Sequence, residues 1–173
     1  MKKNYGSILF LILLLTISKN SFSQLLINEN FNSLTTGSKS PLSSWAYSRG
    51  YFPVIDETYS SSGWQADDFG NVVGGSNLIA ARGNIYGSAR NFWLITPAFD
   101  LNNTSIKTLS FDAALTTFGT TSQGSFDSND DSLIIAYSLN GGTTWSYSQV
   151  LKVYTAGDTV PSAGKNEIID LSS

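Results

Sequence analysis

The 173-residue chain contains no cysteine and no histidine. The absence of cysteine excludes a disulfide-stapled scaffold, a thiolate-held iron–sulfur cluster and a thiol nucleophile. The absence of histidine removes the commonest general base, the commonest zinc ligand and every Ser-His or Cys-His catalytic arrangement. Apolar residues make up 41% of the chain and aromatic residues 13%, which is enough for a packed core. The composition therefore favours one folded domain that is not an enzyme.

Long hydrophobic runs are scarce, and the longest lies close to the N-terminus. Two lysines precede the apolar run at residues 8–15, and serines occupy positions 21 and 23. A basic head, a short apolar middle and small residues before a cleavage point are typical of a secretory signal peptide. The run is shorter than the roughly 20 apolar residues that a membrane-spanning helix needs. We predict a signal peptide at 1–23, a domain at 24–173, a secreted or cell-surface location and no membrane span.

The charge balance becomes more acidic if this signal is removed. Three lysines leave with residues 1–23, so seven basic residues remain against 13 acidic ones, a net charge of −6. An acidic surface repels phosphate backbones, which makes nucleic acid a poor partner. The same balance suits calcium ions and neutral sugars.

Short runs rich in β-branched and aromatic residues recur after the signal, separated by glycine, serine, asparagine, threonine and aspartate. Within 109–113, Leu109, Phe111 and Ala113 should share one face of a strand, because side chains alternate. Many short strands with polar turns predict an all-β sandwich or barrel. The predicted strands are Leu25–Phe31, Trp45–Arg49, Gly63–Ala66, Leu78–Arg82, Phe92–Thr96, Thr108–Leu115, Ser132–Ser138, Thr144–Tyr154 and Glu167–Leu171.

Two strand ends carry clear turn chemistry. Asn140-Gly141-Gly142 predicts a tight hairpin, since asparagine and glycine tolerate a positive φ. Pro97 should end the strand before it. The pattern Ser138-x-Asn140-x-Gly142-x-Thr144-Trp145 is similar to the Asp-box of sialidase propellers, with asparagine where aspartate is usual. One copy in the chain indicates a stabilised turn, because a propeller would repeat it.

Four segments in order carry a family resemblance. They are the sequences INENF from Ile27, WQAD from Trp64, GSARNFWLITPAFDL from Gly87 and SLNGGTTWS from Ser138. The third is the most specific, and LSFD follows it. On these segments the chain resembles the choice-of-anchor J type of module, which is related to the cleaved-adhesin and MAM-like jelly rolls of secreted Bacteroidetes proteins.

The resemblance implies a jelly-roll β-sandwich of two antiparallel sheets that acts as a non-catalytic module. Its function would be adhesion, or binding of a glycan or protein at a cell surface or in the extracellular space. Members usually continue with two further strands after the segment that corresponds to Glu167–Leu171, so we expect the last strands to be missing here. Two alternatives stay open: an accessory fragment of a larger secreted hydrolase or nuclease, and a structural spacer.

A structural calcium ion is the one cofactor that the sequence suggests. Asp127, Asn129 and Asp131 place oxygen ligands at alternate positions of a loop, as a hard cation requires. The full helix-loop-helix calcium pattern fails, because Ser132 stands where glycine belongs. A solvated acidic turn is the alternative. By resemblance, Glu29 on the first strand would support a second structural calcium site, with an exposed strand glutamate as the alternative.

Aromatic side chains are the candidate ligand-binding residues, because a flat ring stacks on the C–H face of a pyranose. Most of the 22 aromatic residues should nevertheless lie in the core. Trp64 and Tyr86 sit beside loops and are the predicted ligand-binding pair. The full candidate platform is Trp45, Tyr51, Phe52, Trp64 and Tyr86, whereas alternation assigns Trp93, Phe99, Phe111 and Trp145 to the core.

Overall fold

The computed structural model describes residues 26–37, 44–55, 63–73, 79–85, 91–102, 107–126 and 130–172. These residues form eight β-strands and two short 3₁₀ helices, which confirms the all-β prediction. The predicted signal peptide lies outside them. Within the described ranges, no helix has the length and apolar character of a membrane span. The strands are β1 (Ala46–Arg49), β2 (Trp64–Asp68), β3 (Ile79–Gly83), β4 (Phe92–Ile95), β5 (Thr108–Ala113), β6 (Leu133–Ala136), β7 (Val150–Tyr154) and β8 (Lys165–Asp170), and the 3₁₀ helices are Phe69–Asn71 and Tyr147–Gln149.

The described strands form four antiparallel pairs, which are β1 with β4, β2 with β3, β5 with β8 and β6 with β7. Each half of the described chain has four strands in sequence order. The second strand pairs with the third, and the first pairs with the fourth. The chain is therefore organised as two nested four-stranded units. The described residues contain small two-stranded sheets, and a complete jelly-roll sandwich stays a prediction.

The β5–β8 pair shows the predicted alternation most clearly. Leu109, Phe111 and Ala113 are partly buried, and the residues between them are exposed. Strand β8 alternates in the same way, and its partly buried residues include Lys165 and Glu167, which lie opposite Ala113 and Phe111. The inner face of this pair thus combines apolar side chains with two charged groups, those of Lys165 and Glu167, which must be paired.

The main core lies between the β5–β8 and β6–β7 pairs. Phe126, Tyr154 and Val160 are buried there, and partly buried side chains from β5 and β6 pack around them. Phe126 precedes β6, Tyr154 ends β7 and Val160 lies in the loop that leads to β8. Burial of these apolar surfaces is the main force that holds the two strand pairs together.

A charged cluster joins the same two pairs beside this core. Glu167 of β8 accepts from the ammonium of Lys152 on β7 at 2.7 Å and from that of Lys165 at 2.5 Å. Both ammonium groups also lie over the ring of Tyr154, at 4.8 and 5.0 Å from its centroid. The two lysine hydrogen bonds hold the pKa of Glu167 at about 2, below its ordinary 4.5. Hydrogen bonding to Glu167 raises the pKa of each lysine.

The first predicted strand is wrong for the residues that the structure describes. Residues 26–31 have no strand structure, and Phe31 has a φ of 56°. The reason is local: the Glu29 carboxylate accepts from the Phe31 amide at 2.6 Å, and the Asn30 side chain accepts from the Asn32 amide at 3.1 Å. Such side-chain acceptors turn the backbone and compete with a strand ladder.

A turn at Asn140 is confirmed, but the tight hairpin predicted there is wrong, because the turn lies within the longer connection from Ala136 of β6 to Val150 of β7. Gly141 and Gly142 have positive φ values of 68° and 86°. The Asn140 side-chain oxygen accepts from the Thr144 amide at 2.9 Å, and the Ser138 hydroxyl accepts from the Gly142 amide at 3.0 Å. Strand β4 ends at Ile95, two residues before Pro97, also as predicted. Both agreements follow from backbone chemistry that is local in sequence.

Candidate ligand-binding site

Of the predicted ligand-binding pair, the structure describes Trp64 alone. Trp64 begins β2 opposite Gly83 of β3 and is partly buried. Its indole covers Gly83 so closely that a β-carbon there would lie 3.5 Å from the ring. Tyr86 lies outside the described residues, so the pairing of Trp64 with Tyr86 stays a prediction.

The predicted calcium ligands are only partly described. Glu29 is partly buried and uses one carboxylate oxygen to hold the Phe31 amide. Asp131 is partly buried just before β6, whereas Asp127 and Asn129 lie outside the described residues. In the part of the chain that the structure describes, no three acidic side chains gather in a way that could hold a metal ion. Calcium binding at either place therefore stays a prediction.

A different group of aromatic side chains comes together at the end of β1. Phe52 is 9% exposed, and its ring centroid lies 5.4 Å from that of Trp93 on β4. The indole nitrogen of Trp93 donates to the Gly50 carbonyl at 2.8 Å. Trp93 lies opposite Ser48, which is almost fully buried. These contacts fix the segment after β1 onto the β1–β4 pair.

Tyr147 packs on this base from the second half of the chain. Its ring centroid lies 5.1 Å from that of Phe52 at an interplanar angle of 77°. Its hydroxyl donates to the Phe52 carbonyl at 2.8 Å. The residue is nevertheless 69% exposed. Because the hydroxyl is bonded inside the protein, the surface that Tyr147 offers to solvent is mainly its ring. The backbone holds one end of this ring and the hydrogen bond of the hydroxyl holds the other.

Tyr51 is a second exposed tyrosine, in the segment that follows β1. It directly precedes Phe52 and is 72% exposed. The Val54 amide donates to the Tyr51 carbonyl at 2.7 Å, which closes the turn that carries both residues. We call Tyr51, Phe52, Trp93 and Tyr147 the aromatic platform: Phe52 and Trp93 form its less exposed base, Tyr147 packs on Phe52, and Tyr51 precedes Phe52 in the same turn.

The local sequence explains why Tyr147 sits there and not within a strand. The Ser146 hydroxyl accepts from the Ser148 amide at 3.3 Å and so caps the 3₁₀ helix Tyr147–Gln149. The Gln149 carbonyl accepts from the Tyr137 amide at 3.1 Å, just after β6. The predicted strand over Thr144–Tyr154 is therefore limited to Val150–Tyr154.

The sequence indicates half of this platform. Tyr51 and Phe52 belong to the predicted aromatic set, but Trp93 is assigned to the core and Tyr147 to a strand. Trp45, another member of that set, packs instead on Phe31, with centroids 5.7 Å apart. Ser146 is the one local signal for Tyr147, because serine favours helix caps over strand interiors. The contact with Phe52 spans 95 residues and leaves no trace in a local pattern.

Comparison with known proteins returns no match: none of the protein-family models, curated proteins or solved structures corresponds to this chain. The resemblance to the choice-of-anchor J type of module therefore stays a prediction.

Proposed function

We propose that this chain is an exported, non-catalytic adhesion module of the jelly-roll type that binds carbohydrate through the aromatic platform. The two nested four-stranded units support a sandwich, because Greek-key and jelly-roll folds are built from such folded-over antiparallel pairings. The resemblance and the predicted signal peptide support export. The observation that carries the binding function is the exposed, immobilised ring of Tyr147.

An immobilised ring suits carbohydrate because of the way sugars meet proteins. The C–H groups of a pyranose form a flat apolar patch that lies against an aromatic face. Tyr147 is already held by its hydroxyl and by the Phe52 ring, so little side-chain freedom remains to be lost on binding. Tyrosine also supplies a large contact area with only two side-chain torsions. Tyr51, on the adjoining turn, offers a second ring to the next sugar along a chain.

The absence of a catalytic role is supported by the side-chain chemistry. The sequence contains no histidine or cysteine. Asp67 and Asp68 are adjacent carboxylates, whereas a glycosidase needs two carboxylates on either side of the bond that it cleaves. Asp67 instead forms an ion pair with Arg82 at 2.5 Å and accepts from the Asp68 amide at 2.9 Å. This ion pair joins β2 to β3, so the role of Asp67 is structural.

Affinity electrophoresis through gels that contain polysaccharide tests the proposal. We expect at least one polysaccharide to retard the wild-type protein and Tyr147→Ala to weaken that retardation roughly tenfold, equivalent to about 1.4 kcal/mol. Tyr147→Phe keeps the ring and should retain most of the binding. The matched control is Phe118→Ala, which removes a ring that is 67% exposed and contacts Arg82. Equal loss in Phe118→Ala and Tyr147→Ala, or none in Tyr147→Ala, would contradict the proposal.

A further inference from the structure

We infer that the aromatic platform takes neutral polysaccharide chains and discriminates against anionic ones. This inference rests on the proposed function, because it concerns the same surface. It adds the chemical class of the ligand, and it is carried by the distribution of charge around the platform.

The three segments that build the platform carry no charged side chain. They are residues 50–55, 91–99 and 132–151. The last is a run of 20 uncharged residues in a chain with 10 basic and 13 acidic ones. A site for carboxylated or sulfated sugars needs arginine or lysine to replace the water that the anion loses. These segments supply neither.

The charges that border the described parts of these segments are directed elsewhere. Arg49 lies opposite Phe92, whereas Ser48 lies opposite Trp93, so alternation places Arg49 on the other face of the β1–β4 pair from Trp93. Its guanidinium lies over the Phe92 ring, 5.4 Å from the centroid.

The charges at the borders of the other segments also have their own positions or partners. Lys152 is bonded to Glu167. Asp130 and Asp131 precede β6, at the opposite end from Tyr137 and Gln149. Asp100, which follows the second segment, accepts from the Asn102 amide at 2.8 Å. Asp56, Glu57 and Arg90 lie outside the described residues.

The polar groups nearest to Tyr147 along the chain are hydroxyls. Ser146 and Ser148 flank it, and their hydroxyl oxygens lie 2.9 Å apart. Hydroxyls both donate and accept, which matches the hydroxyls of a neutral sugar. The net charge, −3 for the full chain and −6 without the predicted signal peptide, adds a weak general repulsion toward polyanions. Among the residues that the structure describes, the platform segments thus combine a stacking surface and hydroxyl groups with no cation, which is the pattern of a neutral-sugar site.

The test uses affinity gels at low salt with three neutral polysaccharides, hydroxyethyl cellulose, xyloglucan and galactomannan, and two anionic ones, polygalacturonate and hyaluronan. We expect a neutral polysaccharide to retard the wild-type protein, with loss in Tyr147→Ala, and the anionic ones to leave its mobility unchanged. Ser148→Lys places a cation beside Tyr147, so it should gain retardation by polygalacturonate that added salt removes.

The outcomes separate the inference from the proposed function. Retardation of the wild type by the anionic polysaccharides alone, with loss in Tyr147→Ala, would overturn the neutral class and leave the platform as the binding site. Retardation by none of the five, or retardation that Tyr147→Ala does not change, would overturn the proposed function and the inference together.

Discussion

Replacement of Phe52 by alanine is expected to lower the free energy of unfolding by about 3–5 kcal/mol, the usual range for removing a buried phenylalanine ring. Phe52 is 9% exposed and touches the rings of both Trp93 and Tyr147. Its removal leaves a void between the first and second halves of the chain. A domain of this size has about 5–15 kcal/mol of stability in total, so the loss should be large. Urea unfolding followed by tryptophan fluorescence measures it.

The neighbouring residue provides the matched control for this substitution. Tyr51 is 72% exposed, so Tyr51→Ala should change stability by no more than about 0.5 kcal/mol. Both variants should bind polysaccharide more weakly, Phe52→Ala because Tyr147 loses its support and Tyr51→Ala because a stacking ring is gone. A Phe52→Ala protein as stable as Tyr51→Ala would show that Phe52 does not join the two halves.

Replacement of Glu167 by glutamine is expected to destabilise the protein at neutral pH and to remove part of its acid sensitivity. The wild-type carboxylate separates two ammonium groups that both contact Tyr154, and glutamine leaves those like charges without a counter-ion. Removing one partner from a shielded charge cluster costs more than the cluster contributes as a whole. We expect a melting temperature several degrees below that of the wild type at pH 7.

The pH dependence has a definite sign. Because folding lowers the pKa of Glu167 from 4.5 to about 2, its contribution is complete above pH 4.5 and is lost as the pH falls toward 2. Between pH 4.5 and 2, the melting temperature of Glu167→Gln should therefore fall less steeply than that of the wild type. Asp130→Asn removes the same charge from an exposed aspartate and is the control. Identical slopes of melting temperature against pH, from 4.5 to 2, in wild type and Glu167→Gln would contradict the assignment.

The sequence predicts those parts of the fold that depend on neighbouring residues. The alternation of Leu109, Phe111 and Ala113 and the turn at Asn140 both follow from local backbone and side-chain rules. The wrong predictions also have local causes. Glu29 and Asn30 turn the backbone where a strand was predicted. Phe99 is 45% exposed although alternation assigns it to the core, because it lies beyond the end of β4 at Ile95.

The candidate site depends on long-range contacts, which the sequence does not specify. Nothing in the chain shows that Tyr147 meets Phe52, or that Lys152 and Lys165 share one carboxylate. Single-sequence patterns indicate which face of a strand is apolar, but strand pairing and packing between pairs are set by the whole chain. Tyr51 and Phe52 belong to the candidate platform of five aromatic residues that the sequence suggests, but the predicted binding pair is Trp64 and Tyr86. Tyr147 is not in that set.

The most direct measurement of the central claim is an NMR titration of the protein with ¹³C-labelled tyrosine, which reports each tyrosine ring separately. Cellohexaose, xylohexaose and mannohexaose would be added in turn, with Tyr147→Phe and Tyr51→Phe used to assign the two platform resonances. If the platform binds neutral sugar, at least one of the three should shift the ring signals of Tyr147 and Tyr51 and leave that of the buried Tyr154 unchanged. Ring signals of Tyr147 and Tyr51 that stay fixed with all three oligosaccharides would contradict the claim.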